Sequence, residues 1–279
     1  MSDVLFLGLA VFDHAFMRYA LIAGTAVALA CGLVGYLMVL RGQVFMGDAM
    51  GHVAFTGALA SLAFGLDARL GLFVACVAVG LVLAGMGDRG RAGDTETGIV
   101  FSWVLGLGVL LLSVVASSGG AGGAAGARVL FGSILGLDAA RTTWAVAIAA
   151  AVVIALIAIA RPLLFATLDE AVAAARGVPV RLLGFAFLAI VGIAAAEAAQ
   201  VVGALLLLGL LATPGGTAWR LTTSPYAGLA VSAAAAVAST WAGLLLSFEV
   251  PSLPPSVAII VVASALYAGA TLLDRVRAR

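Results

Sequence analysis

Lysine is absent from this chain, and all 14 basic residues are arginine. Charged residues of either sign make up 10% of the 279 residues, against about 25% in an ordinary soluble domain. Too little charge is present to cover a water-facing surface. Only two histidines occur, His14 and His52, which excludes an HExxH metalloprotease helix. No GxxxxGK[ST] loop occurs, so the chain has no Walker A route to ATP. Cys31 and Cys76 lie inside apolar runs, without disulfide or zinc spacing, and read as small buried hydrophobes. No basic stretch precedes the first apolar residues, and Asp3, Asp13 and His14 interrupt them, so a cleavable signal is not expected.

What is present is apolar. Hydrophobic residues make up 64% of the chain and the mean hydropathy is +1.24. Runs at roughly 18–40, 47–66, 70–87, 98–117, 142–160, 182–197, 199–218, 226–247 and 255–273 reach or approach the ~20 residues that cross a bilayer as a helix. The expected fold is all-α, a polytopic bundle of eight or nine spans in one domain over 1–279, placed multi-pass in the cell membrane. Residues 1–17 read as an interfacial segment. The stretch from Leu182 to Thr213 is too long for one span, and Glu197 and Gln200 are expected to break it into two short helices. With the 161–181 segment cytoplasmic, strict alternation also places Arg41, Arg89, Arg91, Arg220, Arg275, Arg277 and Arg279 inside.

Two loops stand out. SSGGAGGAAGA, from Ser117, is a flexible linker by composition. RPLLFATLDEAVAAARGVPVR, residues 161–181, holds helix formers led by Asp169 and Glu170 and stopped by Gly177 and Pro179. A short helix over 168–176 follows. It serves either as an interfacial connector or as a docking element for a cytoplasmic partner.

The most unusual stretch is FMGDAMGHVAFTG, which places Asp48 and His52 among small and apolar neighbours. At i and i+4 they share one helical face. Two readings are open. Asp48 caps the helix at the interface and pairs with His52, or the two form an ion site. A carboxylate oxygen and an imidazole nitrogen suit zinc, manganese or iron, and two copies of the chain would supply four ligands. Glu197 and Gln200 are either solvated turn residues or part of a cation pathway. Glu249 reads as a loop charge and His14 as interfacial.

Several segments together resemble the membrane permease subunits of ABC importers for zinc and manganese. VLRGQVFMGDAMGHVAFTG is similar to that family's VLR-x-x-x-F-x-G-D-A-x-x-H-A-x-x-x-G signature. TETGIVFSWVLGLGVLLLS, VLFGSILGL, TLDEAVAAARGVPV, QVVGALLLLGLLATPGGTAWRL and VPSLPPSVAII resemble further segments of the family, in order, from Arg18 to about Val261.

The resemblance implies a permease of the type II importer kind, not itself an enzyme. ATP hydrolysis would belong to separate cytoplasmic ABC ATPase subunits. An extracytoplasmic metal-binding protein, a second copy of the chain as a homodimer, and membrane lipid are the other implied partners, with no nucleic acid. Asp48 and His52 would line the metal path. Asp169, Glu170, Arg176 and Gly177 would form the ATPase-coupling helix. The cargo would be a divalent metal, with zinc favoured by the imidazole over manganese, and no permanently bound cofactor. Alternatives are a permease for a metal chelate or vitamin, or an ion-coupled secondary carrier. The chain departs from the family pattern at Gly51, Thr56, Gly215, Gly216, Leu253 and Pro254, and Gly215, Gly216 and Leu253 bear on packing and gating.

Overall fold

The computed structural model describes residues 14–88, 90–117, 130–204, 207–250 and 252–277. The first thirteen residues, the glycine-rich linker after Ser117, and Arg89, Arg128 and Arg279 lie outside them. The interfacial reading of 1–17 therefore falls almost wholly outside the described chain.

The described chain is almost entirely helical. Its helices are α1 (Ala15–Leu40), α2 (Val44–Ala63), α3 (Ala68–Met86), α4 (Asp94–Ser117), α5 (Ala139–Leu168), α6 (Glu170–Ala175), α7 (Val180–Val201), α8 (Leu207–Leu221), α9 (Pro225–Glu249) and α10 (Pro255–Arg277). A 3-10 turn, Ile134–Gly136, precedes α5. Seven of these, α1, α3, α4, α5, α7, α9 and α10, are long and apolar enough to cross a membrane. The protein is a multi-pass membrane protein.

Nine runs are expected from the sequence, and nine long helices occupy them, but two of these are not both long and apolar enough to cross. Helix α2 carries Asp48, His52 and three glycines, which lower its hydropathy. Helix α8 has 15 residues, about 22 Å at 1.5 Å per residue, less than a ~30 Å hydrocarbon core. Two boundaries also move. Helix α5 continues through Arg161 and Pro162 to Leu168 rather than ending at 160. The break in the 182–213 stretch falls after Val201, not at Glu197 and Gln200. Alanines around Glu197 are strong helix formers, and the carboxylate does not interrupt them. The chain breaks instead at Gly203, whose φ of +111° lies where only glycine is at ease.

Helices α1 and α7 form the buried centre, where Tyr36 and Phe187 are fully enclosed. Helices α2, α3 and α4 pack to one side and α8, α9 and α10 to the other, with α5 beside α1 and α7. In lipid there is no water-driven force between apolar helices, so close backbone approach through small residues carries the association. Gly80 faces the Leu188 carbonyl and Gly192 the Cys76 carbonyl, joining α3 to α7. Ser232 donates to the Gly32 carbonyl at 2.6 Å, joining α9 to α1.

Arginine is unevenly divided between the two ends of the bundle. Arg41, Arg91, Arg161, Arg176, Arg181, Arg220, Arg275 and Arg277 gather at one end, and Arg18, Arg69 and Arg141 at the other. The positive-inside rule would place the first end on the cytoplasmic side.

Candidate functional site

Helix α2 begins at Val44, after the turn Arg41–Gln43, so Asp48 is its fifth residue and His52 its ninth. At 1.5 Å per residue His52 stands about 12 Å beyond the inner end of a ~30 Å helix, and Asp48 about 6 Å. The pair thus lies in the half of α2 nearer the Arg41 end. Gln43 occupies the cap position, so Asp48 does not cap α2. Among the described residues Asp48 and His52 form no ion pair with each other.

Phe45, Asp48, His52 and Thr56 share the face of α2 that meets α4. The His52 ring meets Phe101 edge-on, with centroids 5.1 Å apart and planes at 80°. Phe45 meets the same ring at 5.7 Å. Thr56 donates to the Val104 carbonyl at 3.2 Å. This contact gives Thr56, a departure from the family pattern, a specific partner. Asp48 and His52 are both half-buried, neither sealed in the core nor fully exposed.

The adjacent face of α2 carries Gly47 and Gly51. Gly51 lies against the carbonyl of Ala204, in the break between α7 and α8. Irregular backbone at membrane depth is tolerated where it is buried in protein or lines a cavity, and it is a recurrent feature of transport sites. The break therefore sits one residue away from His52. Among the described residues no group of three or more His, Cys, Asp or Glu side chains gathers to hold a metal. One chain offers two donors here, which suits brief contact with a passing ion rather than retention.

Glu197 and Gln200 are elsewhere. They line a cleft of about 220 Å³ at the outer end, with Arg69, Phe73, Arg141 and Trp144. Glu197 is 5% exposed, inside α7. That corrects its reading as a solvated turn residue: the surrounding alanines carry the helix four residues past it. Two guanidinium groups in the same cleft oppose a cation there.

At the arginine-rich end α6 is a single short helix. The Asp169 carboxylate accepts from Val172 N–H at 2.9 Å, capping its start. Gly177, at φ +79°, ends it, and Val178 N–H returns to the Ala173 carbonyl at 3.0 Å. Ala173 is buried, while Asp169, Arg176 and Gly177 are exposed and Glu170 half-buried.

Beneath α6 is a polar cluster that sequence reasoning missed. Arg41 is 4% exposed. Its Nε donates to Gln43 Oε1 at 2.9 Å and its Nη1 to Thr167 Oγ1 at 3.3 Å. Its guanidinium lies over the Phe187 ring, 5.2 Å from the centroid. Gln43 Nε2 donates to the Ala92 carbonyl at 3.0 Å, and the Arg91 guanidinium donates to the Arg41 carbonyl. Burial, then the Arg91 charge, push Arg41 down to about 10, while Glu170 pulls it upward. In the sequence Arg41 reads as a charge marking the inner surface and as the arginine of the VLR motif, neither of which shows its burial. A further cue is Gln43, a second polar residue between two apolar runs.

The profile of the ABC 3 transport family matches residues 13–274. The chain belongs to the ABC 3 transport family. Among its relatives is the manganese transport system membrane protein MntC of Halalkalibacterium halodurans, 29% identical over 96% of this chain and 90% of the relative. A probable iron transport system membrane protein of Haemophilus influenzae is 26% identical over 95% of this chain and 96% of its own length. The solved structure of PsaBC from Streptococcus pneumoniae in complex with Fab superposes with a TM-score of 0.81 at 25% identity. It covers 96% of this chain and 95% of its own. The superposition extends over nearly the whole of both chains, so the fold is shared along their length.

Proposed function

We propose that this chain is the membrane permease of an ABC importer for a divalent metal ion, and that Asp48 and His52 contact the ion in transit. The observation that carries the reading is their position. A carboxylate and an imidazole share one face of α2 within the membrane, next to the α7–α8 break. A carboxylate in a membrane helix costs about 2.5–3.5 kcal/mol at the centre and less toward an end such as that of Asp48, and it points to a functional site by default. Manganese(II) is the proposed cargo. Oxygen and imidazole donors completed by water suit it, and manganese and iron appear in the relatives' names. Zinc, toward which the imidazole leans, is the competing ion. Two copies facing one another would bring two such pairs to one path. Separate ATPase subunits would engage α6, with Asp169, Glu170, Arg176 and Gly177 nearest to them, and an extracytoplasmic binding protein would deliver the ion. Glu197 and Gln200 stand aside from the path in this reading.

The test is uptake of radioactive manganese(II) into proteoliposomes holding the permease with its ATPase subunits and binding protein, with zinc and iron(II) as competitors. ATP-dependent uptake that manganese saturates supports the proposal. ATP-independent uptake driven by an ion gradient overturns it in favour of a secondary carrier.

A further inference from the structure

We propose that Arg41 is a positioning residue that transmits movement of the coupling loop to α2, the helix bearing Asp48 and His52. The inference rests on the functional reading above and deepens it, because it names the link between the ATPase side and the path. Arg41 is the residue between α1 and the short turn that starts α2. Its guanidinium reaches across to Thr167, in the last turn of α5 and two positions before the Asp169 cap of α6. Its Nε holds Gln43, which in turn holds the Ala92 carbonyl of the α3–α4 link. Arg91, from that same link, holds the Arg41 backbone. The α1–α2 and α3–α4 links and the end of α5 therefore meet at one buried side chain, which rests on Phe187 of α7.

The partners make this a link that can rearrange. Side-chain acceptors on Gln43 and Thr167 are neutral, and the nearby Arg91 charge repels the guanidinium. A buried cation bound by neutral groups is held less firmly than one paired with a carboxylate. Glu170, the first residue of α6, lies close enough to act on Arg41 electrostatically. Displacing α6 changes the position of Thr167 and Glu170 relative to Arg41, and Arg41 is joined to the first turn of α2 through a two-residue link. A planar guanidinium can hold Gln43 and Thr167 at once, whereas a lysine ammonium lacks that fork.

The test measures ATP hydrolysed per manganese(II) ion imported, in proteoliposomes of permease, ATPase subunits and binding protein. A purely structural defect lowers uptake and hydrolysis together and leaves the ratio fixed. Arg41→Gln is expected to raise the ratio about fivefold, and Arg41→Lys by less. Thr167→Val removes the hydroxyl that accepts from Arg41, together with its bond to the Leu163 carbonyl one turn back in α5, and is expected to raise the ratio about twofold. If Arg41→Gln does not assemble, Thr167→Val decides. An unchanged ratio in Thr167→Val overturns the inference while wild-type uptake keeps the functional reading. Failure of the wild type to import manganese(II) removes both.

Discussion

The carbonyl of Ala204 lies against Gly51, one residue before His52. The α7–α8 break and the helix that bears the candidate metal pair are thus in direct backbone contact. A methyl group at Gly51 would enter the space of that carbonyl, and a backbone cannot swing aside as a flexible side chain can. Gly51→Ala is expected to destabilise the permease by about 1–3 kcal/mol, the usual range for overpacking. A lowered thermal midpoint of the purified permease checks this. An unchanged midpoint with full uptake would show that the break moves freely.

For the pair itself, Asp48→Asn and His52→Ala should each reduce manganese uptake at least about tenfold, as expected when a group that touches the ion is removed. Assembly with the ATPase should remain, because neither side chain supports a neighbour through a hydrogen bond among the described residues. Co-purification of the ATPase alongside lost uptake is the expected pattern. Normal uptake by both variants would remove Asp48 and His52 from the path.

Much of this was legible in the sequence, for physical reasons. Apolar runs of about 20 residues locate membrane helices because the bilayer fixes their length. The Asp48–His52 spacing placed both groups on one face. The start and stop of α6 followed from Asp169 and Gly177, whose capping chemistry is local. The departures have two different causes. Glu197 looked like a breaker because a carboxylate is expensive in lipid, yet small neighbours and a cleft accommodate it inside α7. Arg41 looked like a surface charge because nothing adjacent in sequence shows that Thr167, Phe187 and Arg91 converge on it.

Glu197 provides a contrasting expectation. Its cleft also holds Arg69 and Arg141, so the local field does not favour a divalent cation. Glu197→Gln keeps the shape and removes the charge. Manganese uptake should keep its KM within about twofold, since a charge that does not bind the ion adds no uniform binding energy. A tenfold rise in KM would return Glu197 to the path.

The adjacent glycines of PGGTAWR separate two roles that the sequence leaves merged. A Cβ on Gly215 would sit 2.7 Å from the Gly35 carbonyl oxygen, where α8 crosses α1. Backbone stands on both sides of that contact and neither can yield alone. A Cβ on Gly216 would instead meet the Tyr267 ring at 3.1 Å. Tyr267 is 37% exposed and can shift by a few tenths of an ångström. Alanine also favours a helix interior over glycine by about 1 kcal/mol, which offsets such a shift. Gly216→Ala should therefore leave the thermal midpoint and uptake near wild type. Gly215→Ala gains the same propensity but has to separate α1 from α8, and should lower the midpoint and the yield of folded permease. Comparing the two single variants in one detergent or lipid controls for composition, since each adds one methyl group to the same helix. Equal effects would mean that helix propensity, not the Gly35–Gly215 approach, governs this segment.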